Sequence, residues 1–338
     1  MKILIVAPSW IGDSILAQPL FMRLHEKYPD LLLDVLAPAW TRQLYGRMNE
    51  VRRVIDNPFA HGELKLLERW RLGRRLAAEA YDQAIVLPNS WKSALVPFFA
   101  GVPVRTGFLG EARWGLVNRV QRVDQTATPQ LAQRYLQLAG HSGELPQPHL
   151  SSTPAQQQAA RAALDLPAAI APMVFCPGAE FGPAKRWPAH HFAALARQLG
   201  GPVWLIGSDK DQTLGDEIET LSGGAAKNLC GRTTLEQAID LIAAARLVVA
   251  NDSGLMHVAA ALDRPLLALY GSSSPAYTPP LSPRARIVSL NLACSPCFQR
   301  VCPLGHFKCL VELTPERVLA HLDESGISAD LSADHVHP

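Results

Sequence analysis

The stretch Val249-Ala-Asn-Asp-Ser-Gly-Leu-Met-His257 decides the fold, because an apolar run passes through Asp-Ser-Gly directly into a helical segment. Leu247 to Ala250 reads as a buried parallel strand, and Leu255 to Leu262 as the helix it feeds. At such an elbow the first N–H groups of the helix have no intrahelical partner. They stand at the positive end of the helix dipole, which makes a seat for phosphate. Gly254 lets a ligand approach the backbone, Ser253 or Asp252 can cap the helix, and His257 falls one turn later on the same face. An ordinary capped helix with a surface histidine fits the same nine residues, so the surrounding chain has to decide between them.

Outward from this elbow, strands and helices alternate in both directions. Met173 to Cys176, Val203 to Ile206, Lys227 to Leu229, Leu247 to Ala250 and Leu266 to Tyr270 are expected strands of one half. Ile3 to Ala7, Leu32 to Leu36, Val51 to Asp56, Ala84 to Leu87 and Val104 to Gly107 are those of the other. The alternation predicts an α/β protein of two doubly wound parallel sheets. A Pro- and Gln-rich stretch, Pro146 to Gln158, is expected to connect them, giving domains at 1–155 and 165–322 and a tail at 323–338. Ligands of such sheets bind beyond the carboxyl ends of the strands, so the cleft between the halves is the expected active site.

Composition narrows the function. The 338 residues are 48% hydrophobic and 18% charged, enough apolar content for two cores. Lys and Arg number 32 against 30 Asp and Glu, and this near balance argues against a nucleic-acid partner. No apolar run reaches the roughly 18 to 20 residues needed to cross a bilayer, and Gly12-Asp13 interrupts the apolar start, so a cytoplasmic protein is expected.

Several motifs carry chemistry. Ala7-Pro-Ser-Trp-Ile-Gly-Asp-Ser14 is a strand-turn-helix, its helix expected to run through Leu24, with only one glycine where a dinucleotide fingerprint needs three, which argues against a nicotinamide cofactor. Asp13 is either a helix-end charge or a general base. Phe175 to Pro188 follows a strand and opens a helix, and its Lys185 is a mobile cation suited to a diphosphate leaving group. Gly231-Arg-Thr-Thr-Leu235 can hold a nucleobase through its backbone. Asp209-Lys-Asp211 has the Asp-x-Asp pattern of some metal-dependent sugar transferases, yet it opens a helix, where capping or a nucleoside contact explains two acids without a catalytic metal. Cys294, Cys297, Cys302 and Cys309, with His306 among them, read either as a structural zinc site or as reduced thiols. Basic residues gather at Lys65, Arg69, Arg71, Arg74 and Arg75, and again at Arg105, Arg113, Arg119 and Arg122. With Trp70 and Trp114 inside these clusters, they suit an anionic, amphipathic acceptor at a membrane surface.

Ser9-Trp-Ile-Gly-Asp13, Lys185-Arg-Trp-Pro188 and Asp252-Ser-Gly-Leu-Met-His257 together resemble the bacterial lipopolysaccharide heptosyltransferases of glycosyltransferase family 9. Leu87 to Pro103, Arg105-Thr-Gly107, Cys294 to Cys302 and Gly305-His306 bring the resemblance closest to the branch that adds the second heptose. The resemblance runs from Met1 to about Leu322. It implies a GT-B fold and an inverting transfer without cofactor or bound metal. The donor would be ADP-L-glycero-D-manno-heptose and the acceptor heptosyl-Kdo2-lipid A, with the protein peripheral at the cytoplasmic face of the inner membrane. Asp13 would be the base and Lys185 would neutralise the leaving ADP. Ser9, Gly12, Gly178, Glu180, Thr233, Asp252, Ser253, Gly254 and His257 would contact the donor, and Arg69, Arg71 and Arg74 the acceptor. A relative with a different acceptor, as in heptosyltransferase I, fits the same pattern, and so does a non-catalytic nucleotide-sugar-binding module.

Overall fold

The computed structural model describes residues 1–60, 62–140, 144–168 and 170–324, with side chains through Leu322, and most of the expected tail lies outside it. The chain divides into two compact units, Met1–Ser151 and Ser152–Pro338.

In the first unit the elements run β1 (Lys2–Val6), α1 (Ile11–Leu16), α2 (Gln18–Lys27), β2 (Leu32–Pro38), α3 (Arg42–Tyr45), β3 (Arg53–Asn57), α4 (Leu66–Leu76), β4 (Gln83–Val86), α5 (Leu95–Phe99), β5 (Val104–Phe108), β6 (Arg119–Gln121) and α6 (Leu131–Gln137). The strands form a parallel sheet of order β3-β2-β1-β4-β5-β6. The chain reverses its direction of winding between β1 and β4, so the turns after these two strands meet at the switch point where such sheets bind ligands. Ile3, Leu4 and Ile5 on β1 and Ala84, Ile85 and Val86 on β4 are fully buried, as central strands covered on both faces require.

The second unit runs α7 (Pro154–Ala162), β7 (Met173–Cys176), α8 (Ala189–Leu199), β8 (Val203–Leu205), α9 (Gln212–Leu221), β9 (Ala226–Asn228), α10 (Leu235–Ala243), β10 (Leu247–Asn251), α11 (Gly254–Ala261), β11 (Leu266–Leu269), β12 (Ala285–Val288), α12 (Lys308–Val311) and α13 (Pro315–Glu324). Its parallel sheet has the order β12-β11-β10-β7-β8-β9, with the switch point between β7 and β10. The core packs Phe175, Trp187 and Phe192 against Leu205, Val249 and Leu267. Trp187 is fully buried, and its indole N–H donates to the Leu313 carbonyl at 2.7 Å, so its one polar atom is satisfied.

Three features differ from the sequence expectation. Each sheet has a sixth strand, β6 and β12, whose short Arg119-Val-Gln and Ala285-Arg-Ile-Val runs are largely solvent-facing and carry no alternation. Residues 154–158 are not a linker but the start of α7 in the second unit. Thr153 caps this helix, accepting from the Gln156 amide while Gln156 answers at Thr153 N, and Pro154 occupies the first turn. Finally, the helix after β1 breaks at Ala17 into α1 and α2.

Candidate functional site

In the first unit, Asp13 lies half-buried in the first turn of α1, immediately beyond β1. No side chain caps this helix, so the acid is the group that meets its positive end. Ser9 and Gly12 belong to the same turn, and Ser9 accepts a hydrogen bond from the Trp40 indole at 3.1 Å. The carboxylate adds to the burial that pushes the Tyr45 hydroxyl above its usual range.

The second unit gathers the other candidates on the loops after β7 and β10. Lys185 Nζ stands 2.5 Å from Asp252 Oδ2, so the expected diphosphate ligand and an expected sugar contact form one ion pair, with side chains 18% and 5% exposed. Asn251 ties the two loops together beneath the pair. Its Oδ1 accepts the Trp187 amide at 3.1 Å and its Nδ2 donates to the Pro177 carbonyl at 2.7 Å. Ser253 occupies the N-cap position of α11, yet its hydroxyl makes no cap bond, so of the two caps the sequence offers, Ser253 or Asp252, Ser253 does not fill the role. Ser253 Oγ and His257 Nδ1 are both buried without a hydrogen-bond partner. His257 is a buried group rather than a surface one, and burial lowers its pKa to about 4, with Asp252 raising it and Lys185 lowering it further. A buried polar atom without a partner is costly, and at a helix N-terminus beside a cation it marks a place where a ligand completes the bonding.

The remaining donor candidates spread around this centre. Gly178 lies against Asp211, whose Oδ2 would be 2.3 Å from a Cβ at that position. Asp211 closes a capping box with Ser208, accepting from its amide at 3.0 Å and its hydroxyl at 2.8 Å, so this acid of the Asp-x-Asp sequence caps the helical turn. Glu180 pairs with Lys210 at 3.0 Å on the exposed side. Thr233 sits in the loop before α10, where Thr234 rather than Thr233 is the cap.

The expected acceptor cations divide. Arg69 is buried, donating to the carbonyls of Leu64, Glu63 and Lys92 and stacking 3.9 Å from the centre of the Phe59 ring. It braces the chain around α4. Arg113 is 1% exposed, donates to the Phe108 and Pro88 carbonyls, and has its pKa lowered to about 10 by burial. Arg105 serves the Leu116, Val102 and Gly115 carbonyls in the same way. Arg71 and Arg74 remain exposed on α4.

Cys294, Cys297, Cys302 and Cys309 are free thiols lining one cavity with His306, Ala184 and Ser272. Among the described residues no three His, Cys, Asp or Glu side chains are arranged to hold a metal ion. Backbone N–H groups, that of Phe307 foremost, hold the Cys302 thiol below the usual range, while burial and then the neighbouring thiols push Cys309 up.

Comparisons with known proteins bear on the family and the fold. The profile of glycosyltransferase family 9 (heptosyltransferase) matches residues 69–308. The chain is 47% identical over 340 residues to lipopolysaccharide heptosyltransferase 2 of Escherichia coli K12, covering 96% of this chain and 98% of that one. It is 44% identical over 344 residues to lipooligosaccharide heptosyltransferase 2 of Haemophilus influenzae, covering 96% and 99%. The solved structure of the E. coli ADP-heptose lipopolysaccharide heptosyltransferase II superposes with a TM-score of 0.85 at 44% identity, covering 99% of this chain and all of that one. With this fold and this similarity along its length, the chain belongs to glycosyltransferase family 9, the heptosyltransferases, and has their GT-B fold.

Proposed function

We propose that the protein moves L-glycero-D-manno-heptose from ADP-heptose onto the first heptose of heptosyl-Kdo2-lipid A, with inversion at the anomeric carbon. The observation that carries the donor half is the Lys185–Asp252 pair set beside the unpartnered Ser253 Oγ and His257 Nδ1 at the N-terminus of α11. An incoming diphosphate offers oxygens to Lys185 and to the Ser253 and Gly254 amides, and it takes over part of the charge that Asp252 now balances. Asp252 and His257 then face the sugar or its phosphates. Gly178, Glu180 and Thr233 are the outer donor contacts, and Ser9 and Gly12 those of the β1–α1 turn. As the anomeric bond breaks, negative charge grows on ADP and is met by groups already in place. Asp13 takes the proton from the acceptor hydroxyl as it attacks.

The acceptor reading is supported by likeness to heptosyltransferase 2 proteins over nearly the whole chain. Arg71 and Arg74 on α4 are the cations for its anionic groups. Contact with the inner-membrane surface is supported by the exposed Leu66, Leu67 and Trp70 beside them. No described helix is long and apolar enough to cross a membrane.

The test is ADP release from ADP-heptose with purified acceptors. Transfer is expected onto heptosyl-Kdo2-lipid A and not onto Kdo2-lipid A lacking heptose. Asp13→Asn should fold and bind ADP-heptose normally while losing about 100- to 10,000-fold in kcat. A kcat within a few-fold of wild type leaves Asp13 a helix-end charge worth at most about 1 kcal/mol. Donor binding without turnover on any acceptor would leave a binding module.

A further inference from the structure

The cysteine-bearing segment from Cys294 to Cys309 is built into the donor loops. Ser295 Oγ donates to the Gly271 carbonyl and the Phe298 amide donates to the Ser272 carbonyl at 2.7 Å, which fixes the segment to the loop after β11. Farther along, Arg300 Nε donates to the Phe181 carbonyl at 2.7 Å, and the Arg300 carbonyl accepts the Ala184 amide at 3.1 Å. Because β11, β10 and β7 are adjacent strands, the segment straps together the loops on either side of the Asp252 turn. The approach is close enough to require glycine. Gly182 has φ +150°, and a Cβ there would stand 2.5 Å from the Arg300 carbonyl oxygen. The Arg300 guanidinium lies 5.7 Å from the centre of the Phe181 ring, and Lys185 Nζ lies 5.1 Å from the same centre, so one aromatic ring holds both cations.

We propose that Arg300 is a positioning residue for donor binding, acting through Phe181 and the Pro183–Lys185 turn to set where the Lys185 ammonium stands. The proposal rests on Lys185 being the ligand of the donor diphosphate. A lysine on a free loop must be ordered by the ligand at the ligand's expense, whereas a turn anchored at both Phe181 and Ala184 presents the ammonium already at the end of β10. Arg300 thus acts on the binding of the diphosphate and leaves the proton transfer at Asp13 untouched. Neither composition nor motif spacing points to it, because it lies 115 residues beyond Lys185 in a segment that draws attention for its thiols.

The experiment is calorimetric titration of the full-length chain with ADP, alongside donor kinetics and thermal unfolding, for Arg300→Ala, Lys185→Ala and the double variant. Arg300→Ala is expected to weaken ADP binding and raise donor KM by about tenfold, with kcat within about twofold and the unfolding temperature unchanged. If Arg300 works through Lys185, the double variant binds ADP no more weakly than Lys185→Ala alone. Arg300→Lys, which keeps a cation near the ring, recovers part of the loss. ADP affinity of Arg300→Ala within twofold of wild type overturns the proposal, and so do fully additive losses in the double variant. Should Arg300→Ala fail to fold, Phe181→Leu keeps the backbone carbonyl and removes the shared ring, and unchanged ADP affinity there is equally fatal. A wild-type chain that does not bind ADP would instead overturn the donor reading itself.

Discussion

Lys185 and Asp252 are 67 residues apart and were legible separately, one as a mobile cation and the other as a turn acid, but their pairing could be seen only once β7 and β10 were neighbours. The arginines were less legible. Arg69, Arg105 and Arg113 sit in basic runs indistinguishable in sequence from Arg71 and Arg74, yet each directs its guanidinium to several backbone carbonyls, in loops for Arg105 and at the end of β5 and in the loop after β4 for Arg113. His257 falls on the first turn of α11, and its burial, which depends on what packs over the helix, excludes the surface histidine that the nine residues alone left open. That burial has a pH consequence. With a folded pKa of about 4 against an ordinary 6.5, the unfolded chain holds more protons on this group between those values. The stabilising effect of the neutral imidazole is therefore complete above about pH 6.5 and is lost as the pH falls towards 4, by up to about 1.4 kcal/mol per unit. Urea unfolding of wild type and His257→Gln across pH 7 to 4 should show the wild type losing stability faster over that window. Parallel profiles would exclude it.

Among the elements, α4 is the clearest case of two faces with two duties. Arg69, Leu72, Gly73 and Leu76 face inward, and Gly73 is held so close to α5 that a Cβ would fall 2.6 Å from the Phe99 Cβ. The outer face carries two rows at helical spacing, Leu66–Trp70–Arg74 and Leu67–Arg71–Arg75, with the apolar residues leading and the cations following. Leu66, Leu67 and Trp70 are 46 to 56% exposed, which is unusual for three large apolar neighbours. Apolar side chains entering the headgroup layer with arginines at phosphate level is the pattern of an interfacial helix. Wild type should therefore sediment with vesicles containing phosphatidylglycerol and not with pure phosphatidylcholine, and added salt should weaken the association. Leu66→Glu with Leu67→Glu should abolish it while transfer onto a delipidated soluble acceptor continues. Equal sedimentation of variant and wild type would remove α4 as the contact. Elements without such patterning were the ones the sequence hid. β6 and β12 have three and four residues at sheet edges, and α7 was masked by its proline and glutamines although Thr153-Pro-Ala-Gln156 is a capping signature.

Across the whole molecule, the strand-helix alternation and the two turns carrying Asp13 and Asp252 were readable because a parallel strand needs a continuous apolar run and a turn that ends it. What alternation cannot distinguish is how differently the two units treat their tryptophans. Trp10, Trp40, Trp70, Trp91 and Trp114 of the first unit are 39 to 67% exposed, whereas Trp187 and Trp204 of the second are 0 and 3% exposed. Unfolding of the second unit therefore moves two indoles from the core into water, while unfolding of the first changes the surroundings of its indoles much less. The red shift of tryptophan emission in urea consequently reports on the second unit. Trp187 is also joined to the end of β10 through Asn251, so it unfolds with the turn that carries Asp252. If ADP binds at Lys185 and α11, a concentration of 100 times its Kd should add about 2.7 kcal/mol to the stability of that unit. The emission midpoint should then move to higher urea with ADP, and Lys185→Ala should need correspondingly more ADP for the same displacement. An emission transition indifferent to saturating ADP would place the nucleotide elsewhere than in the second unit.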